Sequence, residues 1–187
     1  MKKRIITISG LPGTGKSSTA NGVAKALSYK RFSSGDFMRQ LGLERGLTID
    51  QMQHLAEKDN SIDAAIDAKI RETGEQTDLV MDSRIAFYWL PESFKVLLKL
   101  DPRIAAKRTF MQMQQQGRLN QDGNTEEEIY THLVRRIESE KMRYKTLYNI
   151  DYPTESAFDL VIDTNEHNLE QVIQLILQKY NEWLATN

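Results

Sequence analysis

Cysteine is absent from the 187 residues, which excludes disulfides, thiolate zinc sites and a cysteine nucleophile together. An excess of one charge is lacking too, since 25 Lys+Arg face 26 Asp+Glu for a net charge of −1. That removes the global basic field of a general nucleic-acid binder, though a local positive pocket stays allowed. No run reaches the ~18–20 consecutive apolar residues of a membrane span. After the basic Met1-Lys2-Lys3-Arg4, only Ile5, Ile6 and Ile8 precede Ser9-Gly10, too few for a signal-peptide core. The expectation is a soluble, reduced, cytoplasmic protein, monomeric by preference, with neither nucleic acid nor membrane as partner. Charged residues at 27% and hydrophobic ones at 40% are globular values, and the length suits one domain.

The patterning that is present alternates strand with helix. Arg4 to Ser9 is a β-branched run ending at Gly10, and from Lys16 to about Ser28 the periodicity turns helical through Val23, Ala24 and Leu27. Lys30 to Ser33 reads as a second strand, after which Asp36 is placed to cap a helix towards Leu43. Thr48 with Gln51 forms a capping-box pattern, and Ser61 opens an amphipathic segment through Ile62, Ala65, Ile66 and Ile70. Leu79 to Asp82 and Phe94 to Asp101 are strands ending in an acid, Pro102 opens a helix to Gln116, and Gly117 to Thr125 is a polar loop. Thr125 caps a long charged helix to about Tyr148, Leu160 to Asp163 is the last strand, and Leu169 to Leu184 the last helix. Such alternation predicts a five-stranded parallel sheet covered by helices on both faces. His54, His132 and His167 have no metal-ligand spacing, and Trp183 is expected to pack.

The strongest chemical signal is Gly10-Leu11-Pro12-Gly13-Thr14-Gly15-Lys16-Ser17, followed by Ser18. It fits G-x-x-x-x-G-K-[ST] at every fixed position, between a strand and a helix. Glycines let the backbone curl so that amides point at phosphate oxygens, and the helix N-terminus adds its positive end. Lys16 is in place to reach the β- and γ-phosphates of ATP, and the Ser17 hydroxyl to ligate Mg²⁺. Asp82, closing an apolar strand, is the candidate second acid at that metal.

A phosphate-binding loop fixes the donor and leaves the acceptor open. No N-K-x-D stretch for guanine is present. An acceptor that is itself a phosphate needs no general base, but two polyanions must be brought together, which calls for arginines converging from several elements. Arg39 lies one turn past Asp36, and Arg84 follows Asp82. Arg108 and Arg118 lie on or beside the polar loop, and Arg135, Arg136 and Arg143 lie on the helix beyond it.

Ser34-Gly35-Asp36-Phe37-Met38-Arg39 resembles the S-x-G-D-x-x-R segment of nucleoside monophosphate kinases. Ile62 to Asp67, Asp82-Ser83-Arg84, Arg136 to Tyr144, Tyr148 to Asp151 and Phe158 to Thr164 look closer to the short, archaeal-type cytidylate kinases, and the likeness runs over about the whole chain. The resemblance implies a three-layer α/β/α P-loop fold, with the core in 1–35, 76–112 and 143–187, a helical acceptor-binding insert at about 36–75 and a short lid at about 113–142. It implies transfer of the ATP γ-phosphoryl group to CMP or dCMP with Mg²⁺. Within it Arg39 and Arg84 would grip the acceptor phosphate beside Ser34 and Asp36, Asp63 would face the cytosine or sugar, and Arg108 and Arg136 would close over the phosphates with Lys16. Where the family often continues Leu-Ala-Gly after Arg84, this chain has Ile85-Ala86-Phe87-Tyr88-Trp89. That aromatic run suits either stacking on a base or packing in the core. The alternatives are another small P-loop kinase (adenylate, dephospho-coenzyme A or an alcohol as acceptor) and a nucleotide sensor without turnover.

Overall fold

Every apolar run expected to be a strand is one, and all five pair in parallel. The computed structural model describes residues 3–116, 123 and 125–186. Its strands are β1 (Ile5–Gly10), β2 (Lys30–Ser33), β3 (Leu79–Asp82), β4 (Phe94–Lys99) and β5 (Leu160–Asp163), in the order β2-β3-β1-β4-β5. Register brings Ile8 and Ser33 level with Asp82, and Gly10 level with Leu98. The carboxyl ends of β1, β2 and β3 therefore share one edge, where ligands of open α/β sheets collect.

Alternation along β1 explains why all six of its residues are buried. Ile6 and Ile8 face helices α1 (Lys16–Leu27) and α8 (Leu169–Ala185), in a core with Val23, Val96, Ile176 and Tyr180. Ile5 faces the other way, towards Leu79, Met81, Ile70 of α4 (Ser61–Thr73) and Ala86 of the short α5 (Ala86–Trp89). Trp183 packs against Phe94 and Tyr180, with centroids 5.8 and 5.9 Å away.

Between β2 and β3, helices α2 (Ser34–Glu44), α3 (Ile49–Ala56) and α4 carry a small core of their own around Met38, Met52, Ala56 and Ile62. After β4, α6 (Pro102–Gln116) and α7 (Glu126–Tyr148) pack along one another. The capping boxes at Thr48 and Thr125 form as the sequence predicts, and Asn168 makes a third at α8.

Two boundaries differ from expectation. The N-cap of α2 is Ser33, whose hydroxyl accepts from the Asp36 amide at 3.2 Å. Asp36 is thereby left to arginines. Strand β4 stops at Lys99 because Asp101 is engaged in capping, its carboxylate accepting from the Arg103 amide at 2.7 Å. Most of the predicted Gly117–Thr125 loop, Arg118 included, lies outside the described residues. Among the described residues no helix is long and apolar enough to cross a membrane.

Candidate active site

Sharp backbone geometry builds the loop after β1. Gly10, Gly13 and Gly15 all have positive φ. At Gly10 a Cβ would lie 2.5 Å from the Leu98 carbonyl oxygen, and at Gly13 2.7 Å from the Ala105 Cβ on α6. Only glycine fits either place. Gly15 is the left-handed N-cap of α1, so no side chain blocks the amides that open the helix. The Tyr152 hydroxyl accepts from the Gly10 amide at 2.9 Å, and Thr14 donates to the Leu11 carbonyl at 2.9 Å, fixing the loop from both ends. Lys16 donates to the same carbonyl at 2.9 Å.

Below that loop, the Ser17 hydroxyl donates to Asp82 Oδ2 at 2.6 Å, and Asp82 is buried. The same oxygen accepts from Arg31 Nη2 at 3.0 Å, while Arg31 Nη1 reaches Asp36 at 2.9 Å. Asp36 also pairs with Arg39. Burial alone would raise the Asp36 pKa; Arg39 and Arg31 outweigh it and hold the carboxyl below its usual range. Arg39 itself is largely exposed at the mouth of the cleft.

The densest charge cluster joins three elements. Glu140 on α7 is buried and pairs both with Arg84, from the loop after β3, and with Arg136, one helical turn away, at 3.0 Å. The two arginines hold the Glu140 carboxyl below its ordinary range although burial pushes the other way. Lys16 is buried beside them. Desolvation, reinforced by repulsion from Arg84, lowers its ammonium to about 7. The amide oxygen of Gln53, oriented to satisfy its bonds, accepts from Arg136 at 3.0 Å.

A cleft of about 240 Å³, open to solvent, runs from this cluster into the α2–α4 insert. Asp63 and Asp67, one turn apart on α4, both line it. Asp63 accepts from Arg143 Nε of α7 at 3.0 Å. Burial raises its pKa, and Arg143 only partly offsets this. Asp67 accepts from Trp89 Nε1 at 2.9 Å and from the Tyr148 hydroxyl. Trp89 in turn lies under Arg71, 4.5 Å from its ring centroid.

Of the residues singled out from sequence, Lys16, Ser17, Asp82, Arg84, Arg136, Ser34, Asp36, Arg39 and Asp63 gather around the loop and this cleft. Arg108 does not join the Glu140 cluster. It extends from α6 to the Thr164 carbonyl at 3.0 Å, on the β5 side of the loop. The aromatic run divides: Phe87 packs with Tyr152 and Phe158, Trp89 reaches Asp67, and Tyr88 is exposed.

Sequence reasoning missed Arg31, Asp67, Glu140 and Tyr152, and gave Arg143 no role. Two of these carried a signal. Glu140 stands four residues after Arg136, the spacing of a helical ion pair, and Asp67 repeats Asp63 at the same spacing. Arg31 and Tyr152 carried none, because the pairing of β2 with β3 brings Arg31 to its partner and Tyr152 meets Gly10 from 142 positions away. Among the described residues no group of three His, Asp or Glu side chains is arranged to hold a metal ion.

The chain matches the family described as "AAA domain" over residues 9–129. It is 34% identical to the cytidylate kinase of Methanocella arvoryzae over 179 residues, covering 95% of this chain and 97% of that protein. It is 31% identical over 184 residues to the S-adenosylmethionine-dependent nucleotide dehydratase of Lacinutrix mariniflava, covering 96% of this chain but only 36% of that longer relative. The shikimate kinase of Bacteroides thetaiotaomicron shares the fold with a TM-score of 0.64 at 12% identity, over 97% of this chain and 98% of that one.

Proposed function

The chain belongs to the cytidylate kinase family of P-loop nucleotide kinases, and from that premise we propose that it moves the γ-phosphoryl group of ATP onto the phosphate of CMP or dCMP. The observation that carries this reading is the meeting of Lys16, Arg84 and Arg136, from three separate elements, beside the Asp63–Arg143 pair. Three cations at one point suit two phosphate chains that must approach each other. A carboxylate joined to a guanidinium suits a base edge that both donates and accepts.

In this reading the amides from Gly10 to Ser18 hold the donor phosphates and Lys16 follows the transferred group. An acceptor phosphate oxygen attacks the γ-phosphorus, the bond to the β,γ-bridging oxygen breaks, and ADP leaves with that electron pair. No general base is required, because a phosphate monoester is already largely dianionic at neutral pH. Arg84 and Arg136 neutralise the acceptor phosphate, with Arg39 at the cleft mouth. Arg108, bonded to the turn after β5, is assigned to the donor side.

Ser17 and Asp82 suit Mg²⁺, being two hard oxygen ligands 2.6 Å apart at the carboxyl edge of the sheet. When bound, the ion neutralises charge on the β- and γ-phosphates.

For the base, Asp63 accepts from the cytosine exocyclic amine while Arg143 donates to its ring acceptors. Uracil has a carbonyl where cytosine has the amine, and would point it at a carboxylate. Closure of the 36–75 insert over the cleft keeps water from the γ-phosphate.

ADP release from ATP–Mg²⁺, measured against CMP, dCMP, UMP and AMP, tests the assignment. CMP or dCMP should give the highest kcat/KM; AMP or UMP as the best acceptor would overturn it.

A further inference from the structure

Arg84 and Arg136 come from different parts of the fold, the loop after β3 and helix α7, yet one buried carboxylate holds both. Glu140 takes Arg84 on one oxygen and Arg136 on the other, and the contact runs through Nε of each guanidinium. An arginine gripped at Nε has its side chain fixed along its length, while its paired Nη groups form the end that matches a phosphate bidentately. The carboxylate also has a charge to balance. Lys16 is buried, Arg84 is 13% exposed and Arg136 34%, and without the carboxylate these neighbouring cations would repel one another and drive the arginine heads apart. Glu140 stands on the same face of α7 as Arg136, Arg143 and Tyr144, all of which line the acceptor cleft. Tyr144 packs at its other side, 5.8 Å from Tyr152, the residue that holds the Gly10 amide.

We infer that Glu140 is the positioning residue of the transfer step: a fixed carboxylate that sets Arg84 and Arg136 at one distance and orientation, so that an acceptor phosphate meets a preformed fork. Both of its oxygens are taken by the two arginines, so it acts through them. The inference rests on the phosphate-transfer reading above and deepens it, adding a residue that neither the loop motif nor the arginine pattern assigns. Its energetic basis is preorganisation. Two long side chains already ordered by an ion pair do not have to be ordered by the incoming nucleotide.

Glu140→Gln tests this, because it keeps the volume and one acceptor oxygen but removes the charge. The expected result is a fall in kcat and a rise in acceptor KM, each on the order of tenfold. The dissociation constant for ATP, titrated without acceptor, should weaken clearly less than acceptor use, because the loop amides supply most of that contact. Glu140→Asp keeps the charge but is one methylene shorter. It should lose the fork as well, and it provides a second reading should the glutamine variant not fold.

Wild-type kcat and acceptor KM in either folded variant overturn the inference. So does equal loss of ATP affinity and acceptor use, which would mark Glu140 as a general structural support. The two levels fail separately. If another nucleotide replaces CMP as best acceptor in the wild type, the functional reading falls. The Glu140 test then runs unchanged on that nucleotide.

Discussion

Asp63 and Arg143 are joined across 80 positions of sequence by a 3.0 Å bond between helices α4 and α7. The base assignment depends on that bond, and it makes a specific forecast. Asp63→Asn substitutes an amide that can donate as well as accept. The preference for CMP over UMP should shrink by roughly 10- to 100-fold, the value of one good base-edge contact at about 1–3 kcal/mol. Steady-state kcat/KM for both acceptors measures it, and an unchanged ratio removes Asp63 from the base pocket.

Asp82 shares one oxygen between Ser17 and Arg31. Asp82→Asn should lower kcat on the order of hundredfold and raise the Mg²⁺ concentration needed for half-maximal rate. Turnover measured along a Mg²⁺ titration reports both. A variant with wild-type Mg²⁺ dependence would show that the second ligand lies elsewhere.

Lys16 carries a pH dependence. Its ammonium is held at about 7 in the free protein, so above that pH an increasing share must regain a proton to meet a phosphate. ATP affinity should therefore weaken above about pH 7, by up to about tenfold per unit, and binding should take up protons. Calorimetry in buffers of different ionisation heat shows the uptake; affinity flat from neutral to alkaline pH would contradict it. The stability side has the opposite sense. A lysine whose folded pKa lies below its unfolded value destabilises the fold in full below about 7, and the penalty fades as pH rises towards the ordinary lysine value of 10.5. Lys16→Met should raise the thermal midpoint at neutral pH while abolishing transfer.

Gly13 has no room for a methyl group, with Ala105 Cβ 2.7 Å from where its own would stand and φ at +82°. Gly13→Ala should cost on the order of 1–3 kcal/mol of stability and move the loop away from α6, weakening ATP binding. Chemical denaturation together with nucleotide titration checks both; wild-type values in either would show that the loop yields more readily than its packing implies.

Local chemistry made much of this fold legible. The strands announced themselves by β-branched runs, the capping boxes at Thr48 and Thr125 by spacing alone, and the phosphate loop by its glycines. What stayed hidden depends on contacts between distant segments. Nothing near Arg31 marks it as the partner of Asp82, because only the pairing of β2 with β3, which sets Arg31 level with Val80, brings its guanidinium within reach of that carboxylate. Tyr152 meets Gly10 across 142 positions. Asp36 has the composition of a helix cap, yet the preceding Ser33 takes that bond and frees Asp36 for two arginines. Arg108 stands near the 117–125 segment in sequence, but α6 carries it to the Thr164 carbonyl, after β5.

Phosphorus NMR of ATP, Mg²⁺ and CMP mixed with the protein tests phosphoryl transfer most directly. The α-phosphorus signal of CMP should be replaced by the paired α and β signals of CDP as ADP forms in equal amount, with little free phosphate. Accumulation of inorganic phosphate with CMP unchanged would contradict the account.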